Sequence, residues 1–337
     1  MGQSIGELLD EPVEYWNWTQ DSAARLAAVH AVQDLSLLDH IGPQPTSMDE
    51  VAASCGGDLG LIRRLIEFLA AEGVLKVDAE GKVLSTERSR KLQSIGGVAW
   101  TYGTLLASTQ HLGEAIRQGG GAYPWAIAYG KPIFEAFSEN PDWADKFGQA
   151  MSFSTSVTEP RIFELHRFQP FKLAVDVGGS HGNLMIRLLG QYPNTRGIVF
   201  DLPETAEQAK AVITNANMED RIEAVGGSFF EKIPEGGDLY LLKHILHDWS
   251  DAESIAILNS IRAAMKPGKR LAVLERIVPD EYKPDVAYSY DMVMMLCTTG
   301  KERRIGDFEA MFGQAGFNLD RVTNNPGGVS VIEAVAI

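Results

Sequence analysis

Cysteine is scarce in this 337-residue sequence, which contains only Cys55 and Cys297. Two cysteines exclude a disulfide framework and a cysteine-rich metal site. Long apolar runs are absent too, and no segment approaches the length of a membrane span. The stretch from Met1 to Pro12 is acidic and lacks the apolar core of a secretory signal peptide. We therefore expect a cytoplasmic protein without a membrane partner.

Positive charge is also in short supply, because 30 lysines and arginines stand against 45 acidic residues and the formal net charge is −15. Such a balance argues against a partner that presents a phosphate backbone. Residues 15–95 nevertheless have the helix–turn–helix and hairpin pattern of a winged helix, so a DNA-binding regulator has to be weighed. Its second helix carries Glu67 and Glu72 as well as Arg63 and Arg64. We predict a dimerisation and lid module without a nucleic-acid partner.

The elements of this first part are predicted from local signals. Apolar residues recur at helical spacing over residues 22–38. Thr46 or Ser47, followed by acidic residues, predicts the start of a short helix, and Asp58 is the predicted cap of a second helix over residues 59–72. The apolar face of that second helix is predicted to be Leu61, Leu65, Phe68 and Leu69. A polar turn between residues 74–77 and 82–86 indicates a hairpin.

Residues 96–170 have a helical pattern that is rich in aromatic side chains. Most of these side chains are expected in the core. Phe147, Met151 and Phe153 are instead candidates for an apolar binding pocket, because methionine adapts to flat ligands.

From residue 171 onwards, short apolar runs alternate with amphipathic segments, which predicts a doubly wound parallel α/β sheet. The predicted strands cover residues 174–177, 197–202, 222–226, 238–242 and 270–277, with two more near 319–323 and 329–337. The predicted helices cover residues 183–192, 206–215, 251–265 and 305–315. Ligands of such sheets bind beyond the carboxyl ends of the strands. Five polar residues lie at or just past these ends and predict one shared site: Asp176, Asp201, Ser228, Lys243 and Glu275.

The first of these strands ends in a glycine turn. Gly178, Gly179 and Gly182 let the backbone pass close beneath a ligand. The next strand ends in Asp201, about 20 residues later, where the ribose-binding acid of a nucleotide site is expected. The dinucleotide pattern G-x-G-x-x-G is not matched, and the carboxylate of Asp176 would repel a pyrophosphate. It suits a ligand with an amino group and a positive centre, such as S-adenosylmethionine; a turn without any ligand is the alternative.

A histidine pair follows the fourth strand of the sheet. His247 is expected at the ligand-binding edge, where an imidazole is suited to remove a proton near neutral pH. Glu275 and Glu302 are carboxylates that would orient it, although charge runs such as residues 301–304 are usually solvated. His244, His247 and Asp248 are suitable ligand types for a metal. Further ligands at diagnostic spacing are not evident in the sequence, so no metal is predicted.

Five ordered motifs together resemble the two-domain S-adenosylmethionine-dependent O-methyltransferases. They are Asp-Val-Gly-Gly-Ser-His-Gly, Phe-Asp-Leu-Pro, Gly-Ser-Phe-Phe, Leu-Lys-His-Ile-Leu-His-Asp-Trp-Ser-Asp and Thr-Gly-Lys-Glu-Arg. That family includes caffeic acid, isoflavone and hydroxyindole enzymes and bacterial polyketide and phenazine tailoring enzymes. The resemblance covers nearly the whole chain. It implies a winged-helix dimerisation domain (residues 1–95), a helical linker and substrate-pocket region (96–170) and a Rossmann-like class I methyltransferase domain that binds the cofactor (171–337).

The resemblance implies which residues contact S-adenosylmethionine. Asp176 and the glycine turn would hold its methionine part, and Asp201 would take the ribose hydroxyls. The remaining implied contacts, with the adenosine or elsewhere on the cofactor, are Leu202, Ser228, Phe229, Lys243 and Trp249. Two residues depart from the family pattern: Ser180 replaces a common third glycine, and Ser228 replaces a common aspartate. The second change loses a charge, so we expect weaker cofactor binding or a compensating group.

The resemblance also implies the reaction, which is direct in-line methyl transfer that leaves S-adenosylhomocysteine. His247 would be the general base, supported by Glu275 and Glu302, with a hydroxyl of a small aromatic compound as acceptor. The residues assigned to the acceptor are Phe147, Met151, Phe153, Asp248, Asp291, Met294 and Met295. A homodimer is expected by resemblance alone. Three alternatives stay open: a relative with other chemistry on a polyketide (hydroxylation, decarboxylation or cyclisation), a C- or N-methyltransferase, and a ligand-sensing winged-helix regulator.

Overall fold

The computed structural model describes residues 4–337, apart from the side chain of Glu159. The first three residues of the predicted domain 1–95, and of the acidic stretch from Met1 to Pro12, therefore lie outside the described residues. The chain forms two compact units, one of Met1–Gln110 and Phe134–Phe153 and one of His111–Ile133 and Ser154–Ile337. The predicted middle segment, residues 96–170, is divided between these units. The functions assigned to the three predicted segments stay predictions.

Over the described residues the chain forms fifteen α-helices and nine strands. The helices are α1 (Ile5–Leu9), α2 (Pro12–Asp34), α3 (Met48–Ser54), α4 (Leu59–Ala71), α5 (Glu87–Ser94), α6 (Gly96–Thr109), α7 (Leu112–Gln118), α8 (Pro124–Tyr129), α9 (Ile133–Glu139), α10 (Pro141–Leu165), α11 (Asn183–Gln191), α12 (Pro203–Asn215), α13 (Asp251–Ala264), α14 (Val286–Cys297) and α15 (Ile305–Gln314). The strands are β1 (Leu75–Val77), β2 (Val83–Ser85), β3 (Leu173–Val177), β4 (Arg196–Asp201), β5 (Ile222–Gly226), β6 (Leu239–Lys243), β7 (Arg270–Glu275), β8 (Phe317–Thr323) and β9 (Ser330–Ala336).

Two predicted helix starts in the first unit are confirmed. The Ser47 hydroxyl accepts a hydrogen bond from the backbone N–H of Glu50 at 3.2 Å, and the Glu50 carboxylate accepts one from the backbone N–H of Ser47 at 3.0 Å. This reciprocal pair satisfies two amide donors that the first helical turn leaves free. Asp58 accepts from the backbone N–H of Leu61 at 2.9 Å and caps α4. The predicted hairpin is also present, as the antiparallel pair of β1 and β2.

The predicted apolar face of α4 is confirmed at Leu69, which is buried, and at Leu65 and Phe68, which pack half-buried against the core of the first unit, but it is wrong at Leu61. Leu61 is 63% exposed, whereas Ile62, Ile66 and Leu69 are buried in the core of the first unit. The helix carries two neighbouring apolar stripes, so its sequence does not decide which stripe faces inwards. The packing of α4 against α3 and β1 decides it.

The second unit is built on a seven-stranded sheet in the order β5-β4-β3-β6-β7-β9-β8. Strands β3 to β7 are parallel, and β9 is antiparallel to both β7 and β8. The doubly wound sheet is therefore as predicted except for its carboxyl-terminal hairpin, which adds an antiparallel pair. Because the parallel strands point in one direction, the residues after β3, β4, β5, β6 and β7 lie along the same edge.

Both faces of this sheet are covered. Side chains of α13 and α15, among them Ile257, Leu258 and Phe308, pack with Tyr240 and Val273 on one face. Side chains of α11 and α12, such as Leu188 and Ile213, pack on the other face. The strands are buried on both sides, which explains why their sequences are continuous apolar runs rather than alternating patterns.

Helix α14 is the one element of the second unit's carboxyl-terminal half that the sequence did not predict. It begins with Asp285, whose carboxylate accepts from the backbone N–H of Ala287 at 2.9 Å. Cys55 and Cys297 are both free thiols. Over residues 4–337, none of the helices combines the length and the apolar character that crossing a bilayer requires.

Candidate active site

The glycine turn after β3 leaves no room for side chains. Gly178 has a φ of +73°, and a Cβ added there would lie 2.4 Å from Cδ1 of Ile245. A Cβ on Gly179 would lie 2.9 Å from the carboxylate of Asp176. Gly182 has a φ of +81° and directly precedes α11. The backbone at Gly178 and Gly182 thus adopts a conformation that favours glycine. Contact of this turn with a ligand stays a prediction.

Asp201 ties this turn to the end of β4. One carboxylate oxygen accepts from the backbone N–H of Ser180 at 2.8 Å, and the other accepts from the backbone N–H of Leu202 at 2.7 Å. Burial raises the pKa of Asp201, although both hydrogen bonds oppose that shift. Ser180 stands at a φ of +50°. The serine at this position therefore adopts the left-handed backbone that the common third glycine of the family would adopt more easily.

Apolar side chains lie near the polar groups of this edge. Leu202, directly after Asp201, is 52% exposed. Phe229 and Trp249 form an edge-to-face pair with ring centroids 5.9 Å apart. The Ser228 hydroxyl accepts from the backbone N–H of Phe230 at 3.2 Å. The residues predicted to contact the adenosine thus offer one hydroxyl group and several apolar side chains. Position 228 carries no charge.

Lys243 reaches from the end of β6 to helix α10. Its ammonium group donates to the hydroxyl of Thr155 at 2.8 Å, and both residues belong to the second unit. Sequence reasoning did not find Thr155, because a threonine in a helix carries no signal for a partner 88 residues away. Lys243 stays a predicted cofactor contact.

His247 lies in a one-turn 3-10 helix, Leu246–Asp248, directly after β6. Its Nδ1 is 2.9 Å from Oε1 of Glu302, and both side chains are buried. A carboxylate only accepts hydrogen bonds, so Nδ1 carries the proton and Nε2 is the ring atom free to take another. Nε2 lies 3.7 Å from Oδ1 of Asp248, beyond hydrogen-bond distance.

Glu275 forms its hydrogen bonds with the backbone of this turn and not with the ring that it was predicted to orient. Its Oε1 accepts from the backbone N–H of Ile245 and from that of His247, each at 3.2 Å. Glu275 is the last residue of β7 and is fully buried. The two predicted carboxylates therefore have different roles, because Glu302 contacts the imidazole whereas Glu275 holds the main chain that carries it.

The charges around His247 shift several pKa values. Burial lowers the pKa of His247, but the carboxylates of Asp248, Glu302 and Glu275 outweigh it and raise the pKa to about 9. Burial also raises the pKa of Asp248 to about 6 and that of Glu275 to about 7, and the Glu302 carboxylate adds to both shifts. His247, Asp248 and Glu275 therefore each bind a proton more tightly in this site than the same side chains do in water.

His244 lies beside His247 but differs from it in charge. Its ring stacks on that of His247, with centroids 5.1 Å apart. Its Nε2 is 3.3 Å from Nη1 of Arg276, which can only donate. Burial lowers the pKa of His244, and the neighbouring cations Lys243, His247 and Arg276 lower it further. His244 is thus a neutral hydrogen-bond acceptor, and the two histidines are not equivalent.

The residues predicted to contact the acceptor are distributed over both units. Asp248 and Asp291 belong to the second unit, where Oδ1 of Asp291 accepts from the backbone N–H of Glu302 at 2.9 Å. Met294 is buried on α14, and Met295 is exposed. The first unit contains the other three predicted contacts, Phe147, Met151 and Phe153. There Phe147 packs on Phe137 at a centroid distance of 4.8 Å. All seven assignments stay predictions.

Arg303 was missed by sequence reasoning, which placed residues 301–304 on a solvated surface. The side chain of Arg303 is fully buried. Its guanidinium donates to the backbone carbonyls of Leu246 at 2.6 Å and Trp249 at 2.8 Å. These two partners are main-chain atoms, which have no signature in the sequence.

A metal-binding arrangement was weighed for His244, His247 and Asp248. Over the described part of the chain, histidine, cysteine, aspartate and glutamate side chains do not assemble in threes into a group that could hold a metal ion.

Comparison with known proteins adds independent information. A profile of the O-methyltransferase domain matches residues 109–318. The chain is 32% identical to O-demethylpuromycin-O-methyltransferase of Streptomyces alboniger, over 90% of this chain and 84% of that protein. The structure of mitomycin 7-O-methyltransferase superposes with a TM-score of 0.86 at 27% identity, covering 98% of this chain and 99% of the other. Human N-acetylserotonin methyltransferase in complex with S-adenosylmethionine gives a TM-score of 0.82 at 26% identity, covering 100% and 99%.

Proposed function

Because the chain belongs to the S-adenosylmethionine-dependent O-methyltransferases, we propose that it methylates a hydroxyl group of a small aromatic secondary metabolite. His247 is the proposed general base. The observation that carries the proposal is the buried contact of 2.9 Å between His247 Nδ1 and Glu302 Oε1. It fixes the ring and reserves Nε2 for the incoming proton.

The residues of the sheet edge suit the cofactor. S-adenosylmethionine, when bound, supplies a methyl group on a positively charged sulfur that needs no further activation. The turn at Gly178 and Gly179 admits no Cβ, because Ile245 and Asp176 pack directly against it. Asp201 has two carboxylate oxygens with remaining lone pairs for ribose hydroxyls. The exposed side chain of Leu202 next to it supplies apolar surface for the adenosine. We assign the cofactor to these residues.

The ionisation of His247 supports an aromatic acceptor. A phenol has an ordinary pKa of about 10, close to the pKa of about 9 that the carboxylates give His247. The free energies before and after proton transfer from a phenol to Nε2 are then nearly equal. This is the condition for effective general-base catalysis. A cation bound at the same edge favours the neutral imidazole, because like charges repel.

The rate has two contributions from this chain's residues. Alignment of the acceptor oxygen with the transferred carbon supplies most of the acceleration, as in other reactions between bound partners. The general base contributes a further factor of about 10²–10⁴.

We also propose that the enzyme is a homodimer. Helices α1 and α2 carry several exposed apolar side chains: Ile5, Leu9, Val13, Trp16 and Trp18. A patch of this kind on a monomer marks an interaction surface, and a second copy of the chain offers the same apolar patch for a self-complementary contact. Sedimentation analysis should find a dimer that Trp16→Glu converts to monomer. A monomeric wild-type protein at micromolar concentration would overturn this part of the proposal.

A methyl-transfer screen tests the main proposal. Purified protein is incubated with labelled S-adenosylmethionine and a panel of phenols, flavonoids, phenazines and aromatic polyketides, and products are identified by mass and by the methylated atom. We expect transfer to a hydroxyl that falls about 10²–10⁴-fold in His247→Ala. His111→Ala is the matched control, because His111 forms a surface pair with Glu114 at 3.1 Å.

The other outcomes of the screen are equally informative. Cofactor binding without transfer to any acceptor would favour a relative with different chemistry. Methylation of carbon or nitrogen would keep the fold and cofactor but overturn the acceptor type. Failure to bind S-adenosylmethionine would overturn the proposal altogether.

A further inference from the structure

The turn that carries His247 is held by two buried side chains, the carboxyl group of Glu275 and the guanidinium of Arg303. We call residues 245–249 the base turn. The carboxylate of Glu275 accepts from the N–H groups of Ile245 and His247, as described above. The guanidinium of Arg303 donates to the carbonyls of Leu246 and Trp249. The carboxyl group thus accepts from N–H donors of the base turn, and the guanidinium donates to its carbonyl acceptors.

Arg303 makes these contacts with a geometry that only a guanidinium offers. Besides the two carbonyls, Nη2 donates to the Ser254 hydroxyl at 3.1 Å and Nε donates to the Asp251 carboxylate at 3.0 Å. Ser254 in turn donates to the carbonyls of Leu246 and Trp249 at 3.2 Å and 3.3 Å. A lysine keeps the charge but cannot present several donors in one rigid plane.

The segment that carries Arg303 also carries the partner of the imidazole. Glu302, which binds Nδ1 of His247, directly precedes Arg303. Gly300 packs so closely on the base turn that an added Cβ would lie 1.9 Å from the carbonyl oxygen of His247. Residues 300–303 therefore contact the ring, the main-chain carbonyls and the peptide surface of the base turn from one side.

We propose that Arg303 is a positioning residue of the methyl transfer, which fixes the base turn so that the His247 imidazole meets Glu302 on one side and the acceptor hydroxyl on the other. The inference rests on the proposed role of His247. Arg303 acts through the main chain, because its donors reach backbone oxygens on both sides of the histidine. A shift of the base turn by about 1 Å is enough to reduce turnover about 10²-fold.

Arg303→Lys is the test, because it keeps the positive charge and removes the planar set of donors. The chain offers a matched control in Arg221, whose guanidinium also donates to two carbonyls three residues apart, those of Leu189 at 3.0 Å and Tyr192 at 2.8 Å. Arg221 precedes β5 and so lies at the amino ends of the strands, away from the base. Arg221→Lys therefore measures how much stability the protein loses when a guanidinium no longer binds two carbonyls at a place away from His247.

The readout is the ionisation of His247, followed by NMR of the whole protein labelled in its histidine side chains, with His247→Asn to assign the signal. In Arg303→Lys the contact with Glu302 loosens, so the pKa of His247 should fall by at least about one unit towards its ordinary value. Turnover should fall about 10²-fold with little change in KM. Arg221→Lys should leave both quantities at their wild-type values even where it lowers Tm equally.

An unchanged His247 titration and unchanged turnover in folded Arg303→Lys would overturn the inference. If that variant does not fold, Arg303→Gln gives the same readout, because glutamine is uncharged and cannot donate to the carbonyls of Leu246 and Trp249 together as the guanidinium does; an unshifted titration there would overturn it as well. The proposed function fails separately, namely if His247→Ala still transfers methyl groups at the wild-type rate.

Discussion

Glu302 binds the imidazole of His247 at Nδ1, at 2.9 Å, while the next residue in the chain, Arg303, binds the main chain on both sides of the same histidine. Because both side chains of the ion pair are buried, water screens their attraction little. Together with the carboxylates of Asp248 and Glu275, this pair raises the pKa of the proposed base.

Replacing Glu302 by glutamine should move the pH dependence of methyl transfer. The base must be neutral to accept a proton, so kcat/KM in the wild-type enzyme should rise with pH up to the His247 pKa of about 9. Glu302→Gln keeps an oxygen acceptor for Nδ1 but removes the negative charge that favours the imidazolium. We therefore expect the rising limb to shift to lower pH by about one unit or more, with a lower plateau because the base is weaker.

The control for this pH profile is Glu114→Gln. It removes the carboxylate of a histidine–glutamate pair on the surface, whose atoms are 3.1 Å apart, and should leave the profile unchanged. A rising limb at the wild-type position in Glu302→Gln would show that the carboxylate does not govern the catalytic ionisation.

Glu275 should make the protein less stable as the pH rises. Its folded pKa of about 7 lies above the ordinary value of 4.5, so the folded state binds the proton more tightly than the unfolded state does. The stability from this group is present below about pH 4.5 and is lost as the pH rises towards 7, an effect of at most about 3 kcal/mol. Glu275→Gln removes this titration, so its Tm relative to wild type should increase between pH 5 and pH 8.

The control for Glu275→Gln is a glutamate whose carboxylate is exposed to solvent. Glu281, whose side chain is 84% exposed, serves this purpose, and Glu281→Gln should give the same Tm difference at both pH values. If the difference between Glu275→Gln and wild type is also constant with pH, the carboxyl group of Glu275 does not titrate in this range.

An alanine at position 178 should weaken cofactor binding more than it weakens the fold. Gly178 and Gly236 both have positive φ angles, of +73° and +88°, so alanine strains the backbone at either position by about 1–2 kcal/mol. A Cβ at Gly236 meets nothing within 4 Å, whereas one at Gly178 meets Ile245 at 2.4 Å. Calorimetry with S-adenosylhomocysteine should show weaker binding for Gly178→Ala, because the turn must shift away from Ile245, and wild-type binding for Gly236→Ala. Equal affinities of the two variants for S-adenosylhomocysteine would show that the glycine turn is not part of the cofactor site.

Local signals in the sequence were enough for much of this architecture. Buried parallel strands are apolar runs, so β3 and β4 and the residues at their ends, Asp176 and Asp201, could be placed at one edge before the structure was known. The caps Ser47 and Asp58 were predictable for the same reason, since each bonds to an amide only three residues away.

Long-range packing explains what could not be predicted. Arg303 donates to carbonyls that lie 57 and 54 residues earlier in the chain. Every residue has a backbone carbonyl, so the sequence does not indicate which ones Arg303 binds. The same holds for Glu275, whose partners are backbone N–H groups rather than the predicted imidazole. The error at Leu61 on α4 has a related cause, because Leu61 and Ile62 differ little in hydrophobicity and only their neighbours distinguish them.

His166 should destabilise the second unit in acid. It is buried at the end of α10, where Nε2 accepts from Arg321 at 2.9 Å and Nδ1 lies 2.8 Å from the Thr323 hydroxyl. Burial and the cations Arg321 and Arg270 lower the pKa of His166 to about 4. In the unfolded chain this histidine therefore binds a proton near pH 6.5. In the folded state it binds that proton only near pH 4. The resulting stability is complete above about pH 6.5 and is lost as the pH falls towards 4, by at most about 3 kcal/mol.

His166→Gln keeps a polar side chain at this place and removes the titration. Its Tm should be below that of wild type at pH 7, because glutamine does not reproduce both ring contacts, and the gap should narrow by several degrees at pH 5. His111→Gln, at a histidine on the surface, should give a gap that does not depend on pH. A gap for His166→Gln that stays constant from pH 7 to pH 5 would mean that the folded protein accommodates the protonated ring. Glu333, whose carboxylate lies 3.5 Å from Nε2 of His166, would then be the group that stabilises the charge.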